Sequence, residues 1–183
     1  LRIGHFAGFG QQLDELDVGL RPLNGGWSLN LDSSLAKGRI DLFEAADKPI
    51  VADMEYVRLP ASKPKTEAEP EPEGPDPLAD FDPRKIPALN LRVAHVFQGD
   101  DDMGTWSLKA RPTAAGVQFS DLDIDLKGLK LGGAIGWEGV PGQTRSWYKG
   151  RMQGEKLSEV LKAWGYAPSA TSESFRLDAD GHW

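Results

Sequence analysis

Apolar and polar residues take turns along most of this chain. In "WSLNLD", Trp27, Leu29 and Leu31 fall on one side of an extended backbone, with Ser28, Asn30 and Asp32 on the other. "TWSLKAR" sets Trp106, Leu108 and Ala110 against Ser107, Lys109 and Arg111. "ALNLRV" sets Leu89, Leu91 and Val93 against Asn90 and Arg92. A period of two marks strands with one apolar face and one wet face. Turn residues separate the runs: Asn24-Gly25-Gly26, Ala115-Gly116, and Gly139 to Gly142. The expected fold is mainly β, a long curved antiparallel sheet of consecutive hairpins.

Two stretches depart from the alternation. "EKLSEVLKAWG" carries Leu157, Val160, Leu161 and Trp164 at helical spacing, with Gly165 as a stop. This predicts a short amphipathic helix near 155–164 that caps or plugs the sheet. Residues 60–85, "PASKPKTEAEPEPEGPDPLADFDPRK", crowd proline with acids. Proline gives no ladder N–H and like charges repel, so this segment reads as a solvated, disordered loop. It separates a first sheet section, 1–59, from a second, 86–183. The two sections share a pattern: Arg21-Pro22 matches Arg111-Pro112 ninety residues on, as Gly26 matches Gly116, His5 matches His95 and Ile3 matches Val93. A repeated strand-turn-strand unit implies an extended architecture.

Catalytic chemistry finds little support. The chain has no cysteine, hence no disulfide and no thiolate nucleophile. His5, His95 and His182 lack a second histidine at metal-ligand spacing. Asp121, Asp123 and Asp125 alternate with Leu122, Ile124 and Leu126. On a strand such acids form a line with steps of about 6.6 Å rather than a cage, so they read as a solvated face. "GDDDMG", 99–104, has a better shape for a cation but reads as a hairpin tip. No serine stands in a nucleophile elbow. No metal, no cofactor and no enzymatic activity are expected. A net charge of −7 speaks against a nucleic-acid partner.

The greasy side of the strands remains. Apolar parity moves from even to odd across Gly128, which a β-bulge at that glycine would absorb. Leu122, Ile124, Leu126, Leu129 and Leu131 then share one side of a bent sheet. One short helix cannot cover about ten strands, so either the sheet folds on itself or part of its apolar face stays open. Candidates for that face are Leu29, Leu31, Leu89, Leu91, Val93, Trp106, Leu108, Leu122, Ile124, Leu126, Leu129 and Leu131. Both ends of the chain read as strands cut from a longer protein.

"PALNLRV…GTWSLKARPTAAGVQFSDLDIDLKGLKLGGAIGW" and "YKGRMQGEKLSEVLKAWGYAPSATSESFRLDADGHW" resemble the YhdP family, large AsmA-like proteins of the Gram-negative envelope. The resemblance is carried by 86–183 and does not extend to the acidic loop, which reads as a variable insertion. It implies an inner-membrane anchor elsewhere in the chain, a periplasmic location and an open β-groove (a β-taco) along which phospholipid acyl chains travel between the membranes. The partners it implies are those acyl chains and the rest of the same long chain. An isolated section would also offer its exposed sheet edges to a second copy. The alternative is a non-catalytic interaction module with a closed β-sandwich core.

Overall fold

The computed structural model describes residues 2–8, 11–59, 80–164, 166–167 and 170–183, with side chains from residue 16 onward. Eleven strands form one sheet, and their spatial order is their chain order. They are β1 (Arg2–Gly8), β2 (Gln11–Leu23), β3 (Gly26–Asp32), β4 (Ala36–Phe43), β5 (Ile50–Leu59), β6 (Leu89–Gln98), β7 (Asp101–Pro112), β8 (Gly116–Leu126), β9 (Leu129–Val140), β10 (Gln143–Glu155) and β11 (Ser174–His182). β1 and β11 stand at opposite ends of the order, so the sheet is open and not a barrel. Helix α1 (Leu157–Ala163) falls where the apolar stripe places it. Residues 60–79, most of the acidic segment, lie outside the described residues. Its last residues are structured: Pro83–Lys85 form a 3-10 turn, with Asp82 accepting from the Arg84 N–H.

The sheet is mixed rather than wholly antiparallel. β5 and β6 run parallel, with Ile50 opposite Leu89 and Met54 opposite Val93. The reason is topological. Strands β1 to β5 alternate in direction, so β5 points the same way as β1. A second unit laid beside the first in the same orientation must start parallel to β5. Parallel neighbours cannot be joined by a tight turn, because the chain has to return along a whole strand. The chain between Leu59 and Leu89 therefore joins parallel neighbours, which a tight turn could not do.

Register makes the repeat concrete. Ile3 faces Leu16, and ninety residues on Val93 faces Trp106. Leu20 faces Leu29 as Ala110 faces Phe119, and Pro22 faces Trp27 as Pro112 faces Val117. The match covers the pairs beside the β2–β3 and β7–β8 turns and the start of β1 and β6, lapses at the bulges (His5 faces Asp14 but Val96 faces Gly104; Asp17 faces Asp32 but Ser107 faces Asp123) and ends before the next strand. Leu29 faces Ile40, yet Phe119 faces Ile135 instead of Lys130.

Lys127 and Gly128 are a two-residue hairpin turn and not a bulge. Both have positive φ, 50° and 85°, as a type I′ turn requires. The Asp125 carboxylate accepts from the Gly128 N–H at 3.0 Å. Leu126 faces Leu129 and Ile124 faces Leu131, so the leucines do share one side, by a different device from the one expected. The real bulge in β8 lies at Ser120-Asp121, where pairing slips against both neighbours and Asp121 has φ 51°. Pairing also slips at Lys37/Gly38 and between Val93 and Val96. Each bulge flips the parity, keeps the apolar side chains on one face and bends its strand.

Candidate functional site

Following the pairings from strand to strand gives a transverse row of side chains on one face. It runs from Val18 through Leu31, Gly38, Met54, Val93, Trp106, Ile124, Leu131 and Met152 to Leu177. Neighbouring strands are about 4.8 Å apart, so the row is about 43 Å long. Beside it run Leu20, Leu29, Ile40, Ala52, Leu91 and Leu108. A third row links Ile50, Leu89, Ala110, Phe119, Ile135 and Tyr148. Every residue selected from the alternation lies on this face. Leu16, Ile40, Ala52, Met54, Phe119, Ile135, Met152 and Leu177 belong to it too. They escaped because glycines, bulges and isolated apolar residues interrupt their alternation. In β8, the shift from Val117 and Phe119 to Leu122 and Ile124 was itself a visible signal.

Exposure is graded along the face. Val96, Ala110, Val117 and Val93 are sealed, at 0–2%. Most of the larger side chains, Leu31, Ile124 and Leu131 among them, are half-buried. Leu20 (57%) and Leu177 (56%) are open. Two described features rest against the sheet. Pro83 is buried and Phe81 stacks on Trp137 at 5.7 Å, where the 3-10 turn meets β8 and β9. Val160 of α1 is buried, and a Cβ on Gly128 would lie 3.5 Å from it. Neither feature spans the face. Among the described residues there is no second sheet. Near one end Gly133 faces Gly150, leaving a gap in the row of side chains. The Tyr148 ring leans over Gly150 and donates its hydroxyl to the Gly132 carbonyl at 3.0 Å. Burial pushes this phenol's pKa up.

The opposite face is charged, and its charges are matched across strands. Lys37 meets Glu55 (3.2 Å), Lys149 meets Asp180 (3.4 Å) and Arg151 meets Asp178 (2.9 Å). Glu138 is held below its usual pKa by Trp147, which donates Nε1–H at 3.1 Å, and by Arg145. A depression of about 710 Å³ on this side runs between Asp123, Lys130, Arg151 and Asp180 over Gly132. Its acids and bases largely neutralise one another.

The aspartate row lies on this wet face. Asp121 pairs with Lys109, and Asp125 caps its turn. The "GDDDMG" acids also diverge: Asp100 pairs with Arg58 (3.7 Å), Asp101 with Lys127 (3.3 Å) and Asp102 with His95 Nδ1 (2.9 Å). Among the described residues no three His, Cys, Asp or Glu side chains are grouped to hold a metal ion. None of the described helices is long and apolar enough to cross a membrane.

An open sheet, apolar on one face and charge-matched on the other, defines a groove-type β protein. The family model described as YhdP protein matches residues 1–183, and the chain belongs to the YhdP family. The match includes the first section and the acidic segment as well as 86–183. No curated protein and no solved structure matches it. Membership points to an AsmA-like envelope protein, in a family not known for enzymatic activity.

Proposed function

We propose that this chain is one section of a periplasm-spanning lipid conduit, anchored in the inner membrane through another part of the same protein. Its apolar face shelters acyl chains of phospholipids moving between the inner and outer membranes. The observation that carries this reading is the long row from Val18 to Leu177, partly exposed and, among the described residues, without a second layer across it. Each methylene taken out of water contributes about 0.8 kcal/mol. Apolar contact is non-directional, so a tail slides along such a face with little change in energy. The head group stays at the rim, in water. A closed β-sandwich would consume this face internally, but the described strands all belong to one sheet.

The test is the lipid content of the purified protein. Native mass spectrometry and organic extraction should find phospholipid at about one or more molecules per chain. It should exchange with vesicles carrying a labelled tail. Protein that is lipid-free as isolated and takes up no labelled lipid refutes the proposal.

A further inference from the structure

Among the described residues, one buried side-chain polar atom lacks a hydrogen-bond partner: the indole Nε1 of Trp106. Three other aromatic polar groups on the sheet are satisfied. Trp147 donates to Glu138, Tyr148 to the Gly132 carbonyl and Tyr56 to the Ser33 carbonyl at 2.6 Å. Trp106 sits in the transverse row between Val93 and Ile124 and packs against the cluster of Ala52, Met54, Val93 and Val96. Its surroundings are apolar. Folding normally pairs a buried donor, so an unpaired one calls for a cause.

We infer that Trp106 is a donor site for the ester carbonyl of an acyl chain lying in the trough. This rests on the conduit reading above and specifies which lipids the face prefers. The indole N–H only donates, so its partner must bring an acceptor. That acceptor has to enter apolar surroundings. A charged phosphate or carboxylate oxygen would lose its hydration there, at a cost one hydrogen bond does not offset. An ester carbonyl is neutral and is carried at the head of every acyl chain. A carbonyl at Trp106 directs its tail along the row, towards either β2 or β11. Nε1 is reached by parting the side chains that cover it, as a tail entering the trough does in any case. Met103, packed against the same cluster, is unbranched and yields readily. Trp106 thus marks a station on an otherwise featureless path.

The experiment compares a diacyl phospholipid with its dialkyl ether analogue, matched in head group and chain length. Wild-type protein should bind the diester about tenfold more tightly than the diether, the effect of one buried hydrogen bond. Trp106→Phe keeps a ring in place and removes the donor, so it should weaken diester binding to the diether level and leave the diether unchanged. In wild-type protein the Trp106 indole ¹⁵N–¹H signal, assigned by its loss in that variant, should move downfield with diester and not with diether. Equal affinity of wild type for the two lipids, or a preference that survives Trp106→Phe, overturns the inference and leaves the conduit standing. Wild type that binds neither lipid overturns both.

Discussion

Ile124→Asp separates a face kept for a guest from one that serves only the protein's interior. Ile124 faces Trp106 on β7 and Leu131 on β9, mid-row and half-buried. Full burial of such a side chain is worth about 1.5–3 kcal/mol, so half-burial puts about 0.8–1.5 kcal/mol of folding stability at risk. That loss is well within the roughly 5–15 kcal/mol of an ordinary domain, and the variant should fold. A bound tail suffers more. It crosses a strand about every 4.8 Å, a length of about four methylenes. A carboxylate that keeps its water denies those methylenes their apolar contact, at about 0.8 kcal/mol each. The sum, about 3 kcal/mol, is about a hundredfold in affinity. Circular dichroism melting measures folding, and titration with a phospholipid carrying a fluorescent tail measures binding. Asp123→Asn, one residue away on the opposite face, is the control and should leave binding unchanged. A folded Ile124→Asp protein that binds within threefold of wild type would refute the reasoning.

Burial along the face predicts unequal stability costs. Leu122→Ala, at a site 6% exposed, should cost about 2–5 kcal/mol in guanidinium denaturation, whereas Leu177→Ala should cost under about 1 kcal/mol because little area is lost. Gly133 has φ 126°, and a Cβ there would lie 2.4 Å from the Lys149 carbonyl oxygen. Gly133→Ala should therefore cost clearly more than Gly25→Ala, where φ is also positive (76°) but nothing lies near; equal losses would show that backbone conformation alone decides. The Asp82 carboxyl is held at about 2 by its side-chain hydrogen bond from Arg84, below an unfolded value of about 3.9. A depressed carboxyl contributes stability above its unfolded pKa and loses it as pH falls through the folded one. The melting difference between wild type and Arg84→Ala, small because the pair is exposed, should vanish between about pH 4 and pH 2. A difference that grows with acid would contradict this assignment.

Much of the site could be read in the chain itself. Backbone geometry puts every second side chain of a strand on the same side, so the partition of Leu29, Leu31, Leu89 and Leu91 from Asn30 and Asn90 needed no coordinates. The stripe in 155–164 gave the helix, and the ninety-residue offset gave a repeat that the pairings of β1–β3 and β6–β8 reproduce outside the bulges. Even the β8 bulge left its trace in the jump from Phe119 to Leu122.

Alternation describes one strand and carries nothing about its neighbour. The parallel join of β5 to β6 was hidden, because direction depends on the path of a connection and not on either strand's residues. The parity change at Gly128 fitted a bulge or a turn equally well, and only the pairing of Leu126 with Leu129 chose the turn. Burial is likewise a property of the assembled sheet: Val96 and Leu20 are both apolar and on one face, yet one is sealed and the other open. The vacant donor of Trp106 is the furthest from sequence. Whether an N–H finds an acceptor depends on atoms brought close from distant strands, and those distances exist only after the chain has folded.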